Sequence, residues 1–310
     1  MKGAKSDSVV LALGGGGARG LAHIGVLEVL KEARIPVRAV VGTSVGAEIG
    51  AFYAAGTGLE KMRRIALRTD WLKTLRLFTP DFGEAGFSSG KGIRRFLEPY
   101  LDELRIEALP IGFAALATDL ITGEEVVLDS GSLIDAVCAS LAFPGLISPT
   151  RLNDRLLVDG GLVNPVPFDA ARERFGGPVI AVLAHSRMQN AASLPEESSP
   201  EWRLRLEELL DSRWLNRLPP MREWLQGFRE ANSEGSALKN LGVSTVLSRS
   251  QMISEVMLVE LRQRLLPPDL MLAPVVEQIG LLEFYRAREA IVAGRKAAQA
   301  ALPGIRKLLG

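Results

Sequence analysis

A serine flanked by glycines, directly after a short β-branched run, is the feature that most constrains this chain. The run Val37–Val41 indicates a buried strand, the pentad Gly42–Gly46 (GTSVG) follows it, and Ala47–Ala55 has the small and apolar residues of a closely packed helix. On such a strand-to-helix turn the serine Oγ is exposed at the helix N-terminus, and small residues are needed where strand and helix come close. The sequence therefore predicts Ser44 as a nucleophile, with the two glycines of the pentad permitting the turn.

A second glycine-rich stretch lies upstream, directly after the strand-like run Val9–Leu13. Gly15–Gly20 has the pattern G-x-G-x-x-G, which in a dinucleotide-binding turn is followed by an acidic residue about 20 residues later. Val40-Val41-Gly42 stands there instead, and no Gly-Lys-Ser/Thr of a nucleotide phosphate loop follows the glycines. Consecutive glycine amides form an anion-binding concavity, which in an acyl-transfer enzyme is the oxyanion hole. The oxyanion donors that this predicts are Gly15, Gly16 and Gly17.

The base for Ser44 has few candidates, because the chain has only two histidines. His23 lies in the predicted helix after the glycine loop, where we expect a packed rather than a catalytic side chain. His185 follows the strand-like run Val179–Leu183, and active-site residues gather at strand C-termini in open parallel sheets. Asp159 also follows an apolar run, so that the order Ser, Asp, His matches a conventional triad. An Asp-Gly pair also initiates ordinary turns, which leaves the role of Asp159 open at this point.

Together the three motifs resemble the signatures of the patatin-like phospholipase family. These signatures are a G-x-G-x-x-G oxyanion loop, a G-x-S-x-G nucleophile and a D-G-G/A acid, which stand here in that order as Gly15–Gly20, Gly42–Gly46 and Asp159–Gly161. The resemblance covers most of residues 8–185 and returns from about 237 to the end. Other stretches that look like the bacterial members are Ala117–Leu120 with Thr122-Gly123, Ala139–Gly145, Asn164–Pro167, and Pro268–Leu270 with Ala273-Pro274.

The resemblance implies a Ser44/Asp159 dyad without a catalytic histidine. An unperturbed aspartate has a pKa of ~3.9 and is a poor base for a hydroxyl, so burial must raise its pKa and the glycine amides must hold the oxyanion. Ser44 would attack an ester carbonyl and form an acyl-enzyme, and Asp159 would then activate water to release the fatty acid. The motif residues that support this site are Arg19, Gly20, Gly42, Gly46, Gly160 and Gly161. Of these, Arg19 is expected to brace the loop rather than to meet a phosphate.

The implied activity is that of a serine lipid acyl hydrolase of the phospholipase A, lysophospholipase or esterase type. Two alternatives stay open: a catalytically weak regulatory or binding protein on the same scaffold, and an esterase with a Ser44/Asp159/His185 triad. Neither a cofactor nor a metal is expected, because no cluster of His, Cys, Asp and Glu has metal-ligand spacing. No motif specifies the lipid or an oligomeric state.

The composition excludes several classes of protein. Lys and Arg number 37 and Asp and Glu number 36, which leaves a net charge of +1, so nucleic acid is not an expected partner. The single cysteine, Cys138, cannot form an internal disulfide, and its apolar surroundings predict a buried thiol. No stretch approaches the ~18 apolar residues of a transmembrane helix, and Val9–Leu13 is too short for a signal core. We therefore expect a cytoplasmic protein. For the lipid-ester substrate that the resemblance implies, peripheral contact at the inner membrane face is an option.

Alternating strand and helix patterns predict an α/β fold, a three-layer α/β/α sandwich with a mostly parallel central sheet. The 310 residues, 47% of them hydrophobic, suffice for one large domain. We expect its core at about 8–185 and 237–302, and a helical insertion or lid at 186–235. In that insertion Met221–Phe228 has apolar residues on one helix face, which suits packing on the domain, a partner subunit or a membrane interface.

Overall fold

In the computed structural model of the protein, residues 7–69, 88–184 and 243–310 are described, residues 243–249 by their backbone alone. Contacts divide the chain into two compact units, one of Met1–Arg187 with Glu255–Gly310 and the other of Met188–Ser254. Residues 243–254 of the second unit form the first part of a helix. The predicted insertion at 186–235 lies outside the described residues, so a single domain that carries this insertion stays a prediction.

An eight-stranded sheet forms the centre of the first unit. The strands are β1 (Val9–Leu13), β2 (Val37–Thr43), β3 (Gly112–Asp119), β4 (Glu125–Leu128), β5 (Thr150–Leu152), β6 (Arg155–Asp159), β7 (Val179–Val182) and β8 (Leu270–Leu272). They lie in the order β5-β6-β3-β2-β1-β7-β8, with β4 paired to β3 outside this path. Neighbours from β3 to β8 in this order are parallel, whereas β4, β5 and β6 join by antiparallel pairing. The predicted mostly parallel sheet is confirmed, with an antiparallel part at one side.

Helices cover both faces of this sheet. They are α1 (Ala22–Glu32), α2 (Val45–Ala54), α3 (Leu59–Leu67), α4 (Lys91–Leu101), α5 (Leu133–Ser140), α6 (Phe168–Phe175), α7 (Val243–Leu265) and α8 (Ala287–Leu309). Successive strand residues point to opposite faces, so Leu11 and Leu13 of β1 pack with α1, α2 and α8, whereas Val10 and Ala12 pack with α6 and with Val259 of α7. Because a parallel sheet is apolar on both sides, helices must cover both. The predicted three-layer α/β/α fold is confirmed.

The composition leads to expectations about the cysteine, about metal-binding groups and about membrane-spanning helices. Cys138 lies in α5 and is half-buried rather than fully buried, and burial raises the pKa of its thiol to about 11. Among the described residues, no group of three or more His, Cys, Asp or Glu side chains could hold a metal ion. None of the helices in the described ranges is both long enough and apolar enough to cross a bilayer.

Candidate active site

Ser44 stands on a sharp turn between β2 and α2, half-buried at the start of the helix. Its backbone has φ 55° and ψ −127°, which a residue with a Cβ rarely adopts. Strand and helix come so close that a Cβ on Gly42 would lie 2.4 Å from the Ala47 nitrogen. A Cβ on Gly46 would lie 2.1 Å from the Leu13 carbonyl oxygen. Only glycine fits at these two positions, so the pentad forms the strand-turn-helix expected of it.

The backbone amide of Ser44 is held by a residue that the motifs do not single out. The Ser44 N–H donates to the Oγ of Ser140 at 2.8 Å, and this hydroxyl donates in turn to the Leu116 carbonyl at 2.6 Å. Ser140 is the last residue of α5 and is fully buried. A lone hydroxyl at the end of an apolar helix is a visible signal in the sequence. Its partner is 96 residues away along the chain, however, and no local pattern indicates that contact.

Asp159, the predicted base, ends β6 and is 2% exposed. Its Oδ1 accepts a hydrogen bond from the Gly161 amide at 2.8 Å, whereas its Oδ2 has no hydrogen-bond partner within the described parts of the chain. Burial raises the pKa of Asp159 to about 6, against the lowering effects of the Ser44 hydroxyl and the Gly161 amide. Gly160 packs directly on the carbonyl of Leu116. The carboxylate therefore has one oxygen held in place and a second one with spare capacity to accept a proton.

Strand register brings Ser44 and Asp159 to the same edge of the sheet, the edge at the carboxyl ends of β1, β2 and β3, which we name the Ser44 edge. Thr43 ends β2 and pairs with Leu116 of β3, and the next β3 residue, Ala117, pairs with Asp159. The Ser44 hydroxyl is near enough to lower the pKa of Asp159, yet Oδ2 accepts no hydrogen bond from it. Catalytic hydrogen bonds are often long until substrate binds.

Asn164 connects the turn of Asp159 to the turn of Ser44. Its backbone amide donates to the Gly160 carbonyl at 2.8 Å, and its backbone carbonyl accepts from Oγ1 of Thr43 at 2.8 Å. Asn164 is fully buried, so these bonds are shielded from water. Because Thr43 immediately precedes the nucleophile, a displacement of either turn is transmitted to the other. In the sequence, Asn164 stands out only as part of the stretch Asn164–Pro167.

The glycine loop lies against Ser44 but has fewer free amides than the sequence predicts. A Cβ on Gly15 would lie 3.3 Å from the Cβ of Ser44. The Gly15 amide, however, donates to the Pro165 carbonyl at 3.0 Å and is not available to an oxyanion. The amides of Gly16 and Gly17 donate to no acceptor among the residues that the structure describes. Of the three predicted donors, Gly16 and Gly17 therefore have amides that are free within the described structure, whereas the Gly15 amide is occupied.

Arg19 is buried in the glycine loop and bonds to a distant segment of the chain. Its Nε donates to the Ile279 carbonyl at 2.7 Å. Burial lowers the pKa of the guanidinium, and nearby carboxylates, foremost Glu255, act in the opposite direction. Gly20 completes the loop and packs on the side chain of Val45, the residue after the nucleophile. The loop is thus held between the Ser44 turn and the segment that contains Ile279.

The two histidines have different positions with respect to this site. His23 is fully buried in α1, and burial lowers the pKa of its imidazole to about 4. Its Nε2 lies 2.8 Å from the Gly14 carbonyl oxygen, so the neutral ring donates a hydrogen bond that holds the start of the glycine loop. His23 is therefore a packed residue, as expected. His185, the rival base, lies outside the described residues.

Comparison with known proteins gives a consistent family assignment. Residues 11–172 match the family model described as patatin-like phospholipase. An uncharacterized NTE family protein of Mycobacterium tuberculosis H37Rv is 32% identical to this chain, over 97% of this chain and 93% of that protein. The patatin-like phospholipase domain-containing protein 6 of Mus musculus is 32% identical over 63% of this chain, which is 15% of its own length. The crystal structure of VipD from Legionella pneumophila aligns with a TM-score of 0.49 and 14% identity, over 97% of this chain and 67% of that chain. This chain belongs to the patatin-like phospholipase family.

Proposed function

We propose that this protein hydrolyses fatty acyl esters of lipids through an acyl-Ser44 intermediate, with Asp159 as the base. Membership of the family supports lipid acyl hydrolysis in general. The single observation that supports these two residues is a buried carboxylate beside a strained serine, with Oδ2 lacking a partner within the described residues. Such a carboxylate matches what a dyad without histidine requires.

The acylation step uses the raised pKa of Asp159. With a pKa of about 6, the carboxylate is largely ionised at neutral pH, yet it is a stronger base than an ordinary aspartate. Oδ2 takes the proton as Ser44 Oγ attacks the ester carbonyl. The negative charge that develops on the carbonyl oxygen lies near the N-terminus of α2, whose first amides have no partner within the helix. The amides of Gly16 and Gly17 supply the opposing donors.

The tetrahedral intermediate then collapses and expels the alcohol part of the lipid, which takes the proton from Asp159. In the second half of the reaction Asp159 accepts a proton from water, and the resulting hydroxide attacks the acyl-Ser44 carbonyl. Collapse of the second intermediate releases the fatty acid and returns the proton to Ser44 Oγ. One carboxylate therefore acts alternately as base and acid in both halves of the reaction.

Labelling with a fluorophosphonate probe tests the nucleophile directly. We expect the wild-type protein to be labelled, Ser44→Ala to lose the label, and Ser132→Ala, at the far end of α5, to retain it. Hydrolysis of p-nitrophenyl esters and of a panel of phospholipids should follow the same pattern. A wild-type protein that is unlabelled and inactive on the whole panel would instead favour a binding or regulatory protein on this scaffold.

Separate variants distinguish the dyad from the triad. If Asp159 is the base, His185→Ala should leave most of the ester hydrolysis intact, and Asp159→Asn should reduce it by several orders of magnitude. A triad would make both variants comparably inactive. The measurement is kcat for a soluble ester, with circular dichroism to verify that each variant is folded.

We also propose that the Ser44 edge contacts the lipid surface from which the substrate is taken. Two exposed apolar side chains lie on this edge, at either side of the site. Ile121, just after β3, is 78% exposed, and Val275, just after β8, is 69% exposed. β8 is parallel to β7, and β7 to β1, so the segment after β8 lies on the same edge as Ser44. A lipid that passes between these two side chains can move from the lipid surface to Ser44 without entering water. The cytoplasmic location stays a prediction, which fractionation of cells would test.

Surface substitutions test this contact with a control from the same chain. Ile121→Glu and Val275→Glu should lower hydrolysis of phospholipid vesicles by about tenfold or more, because burying a charge in an apolar layer is costly. Both should leave hydrolysis of a soluble p-nitrophenyl ester unchanged. Leu265→Glu is the matched control, since Leu265 is 84% exposed and precedes β8, whose amino end lies at the edge opposite to Ser44. Equal losses for all three variants on vesicles would contradict the contact.

A further inference from the structure

One short segment contacts the backbone of both proposed catalytic residues. The Oγ of Ser140 accepts the Ser44 amide at 2.8 Å, and the carbonyl of Ala142 accepts the Asp159 amide at 2.9 Å. These two contacts are made two residues apart along the chain, at the end of α5. This one turn therefore holds both the nucleophile and the base, in addition to the strand register and the contacts of Asn164.

The chemistry of this position calls for a hydroxyl. Ser140 Oγ accepts one hydrogen bond, from Ser44, and donates another, to the Leu116 carbonyl. Ser140 is fully buried, so water cannot replace either bond without a rearrangement. Leu116 is also the register partner of Thr43, the residue before the nucleophile. The hydroxyl thus closes a loop of contacts between α5, β3 and the Ser44 turn.

We infer that Ser140 is a positioning residue, whose hydroxyl holds the Ser44 amide and so keeps the nucleophile at the correct distance from Asp159. This inference rests on the proposed function of Ser44 and Asp159. The strained backbone of Ser44, with φ 55°, persists only where its surroundings hold it. Without the hydroxyl the Ser44 amide loses its partner, and the turn relaxes toward a less strained conformation. A displacement of about 1 Å in an active site can lower the rate by ~100-fold.

The test compares Ser140→Ala with Ser132→Ala, which alters the other end of the same helix. Ser132 is the N-cap of α5, and its hydroxyl accepts from the Asp135 amide at 3.3 Å, far along the helix from Ser44. Both variants remove one hydroxyl at an end of α5; Ser140→Ala thereby loses two hydrogen bonds and Ser132→Ala loses one. For hydrolysis of a soluble p-nitrophenyl ester we expect Ser140→Ala to lower kcat by ~10- to 100-fold with KM within about twofold. Ser132→Ala should leave both constants within about twofold, because it does not touch the Ser44 turn.

A second readout does not depend on activity. Hydrogen exchange at the Ser44 amide, followed by NMR, should be faster in Ser140→Ala than in the wild type and unchanged in Ser132→Ala. If Ser140→Ala does not fold, Ser140→Cys preserves the shape with a weaker hydrogen-bonding group, and it should lower kcat and speed exchange at the Ser44 amide relative to the wild type.

The outcomes separate this inference from the proposed function. A wild-type kcat in Ser140→Ala, or equal losses in Ser140→Ala and Ser132→Ala, would overturn the positioning role while leaving Ser44 as the nucleophile. A lower kcat together with faster exchange at the Ser44 amide, seen in Ser140→Ala but not in Ser132→Ala, supports the positioning role. A wild-type protein without any ester hydrolysis or fluorophosphonate labelling would instead reject the proposed function. The exchange measurement would still report whether Ser140 holds the Ser44 turn.

Discussion

Gly46 and Leu13 are in such close contact that a Cβ on Gly46 would lie 2.1 Å from the Leu13 carbonyl oxygen. The start of α2 is thereby pressed against the end of β1, next to the glycine loop. We expect Gly46→Ala to push this helix away from the sheet, lowering the free energy of unfolding by at least ~2 kcal/mol and abolishing fluorophosphonate labelling. Gly58→Ala is the control, since Gly58 has an ordinary backbone conformation and open space around it. Denaturant unfolding of both variants checks this, and equal stability of Gly46→Ala and wild type would refute it.

The pH dependence of hydrolysis should report Asp159. Its pKa is raised to about 6 chiefly by burial, and the base must be ionised to accept the proton of Ser44. We therefore expect kcat/KM for a soluble ester to rise with pH through about 6 and to level off above it. The measurement is a rate profile between pH 4 and 8 for wild type and His185→Ala. If the rise of kcat/KM around pH 6 is absent in His185→Ala, the histidine, rather than Asp159, is the group that titrates.

The same raised pKa predicts a pH-dependent effect of Asp159 on stability. Because the pKa rises from 3.8 to about 6 on folding, the folded protein holds this proton more tightly than the unfolded chain. The stabilisation from the protonated group is present below pH ~4 and is lost as pH rises through ~6. Asp159→Asn removes the ionisation, so it should be more stable than wild type at pH 8, by up to about 3 kcal/mol, with no such gain at pH 4. Urea unfolding of both proteins at the two pH values measures this. The same stability difference between Asp159→Asn and wild type at pH 4 and at pH 8 would contradict it.

Replacement of Arg19 should affect the glycine loop rather than the recognition of a phosphate. Arg19→Met removes the hydrogen bond to the Ile279 carbonyl, and we expect a loss of about 1 to 3 kcal/mol in the free energy of unfolding. The rate of fluorophosphonate labelling should fall as well, because the loop moves relative to Ser44. The ratio of phospholipid hydrolysis to hydrolysis of an uncharged ester should stay within about twofold of wild type. A selective loss of phospholipid hydrolysis would assign Arg19 to substrate binding instead.

Much of the fold and of the Ser44 turn follows from local patterns. The β-branched run before Gly42 and the small residues after Gly46 specify a strand, a turn and a helix, because glycine is required where the two elements meet. Alternation of such runs predicts the parallel sheet with helices on both faces. The antiparallel pairing of β6 with β3 could not be predicted in the same way, since a short apolar strand has no local mark of its direction.

The glycine loop illustrates the limit of pattern reasoning at the site. A run of glycines predicts free amides, but whether a given amide is free depends on which carbonyl packs against it. The Gly15 amide donates to the carbonyl of Pro165, which is distant in sequence. Within the run Gly14–Gly17, only the amides of Gly16 and Gly17 donate to no acceptor among the described residues. The same holds for Ser140, whose hydroxyl reaches Ser44 only because α5 ends beside the Ser44 turn.

Local sequence patterns were enough to predict the types of the main elements, the three motifs, and Ser44 and Asp159 as candidate catalytic residues. These follow from residue chemistry and from short-range backbone sterics, both of which are local properties. The register that places Thr43 and Asp159 beside consecutive residues of β3, and the burial that raises the pKa of Asp159 to about 6, arise only in the folded protein. Register and desolvation depend on contacts between segments far apart in the chain, so no stretch of sequence contains them.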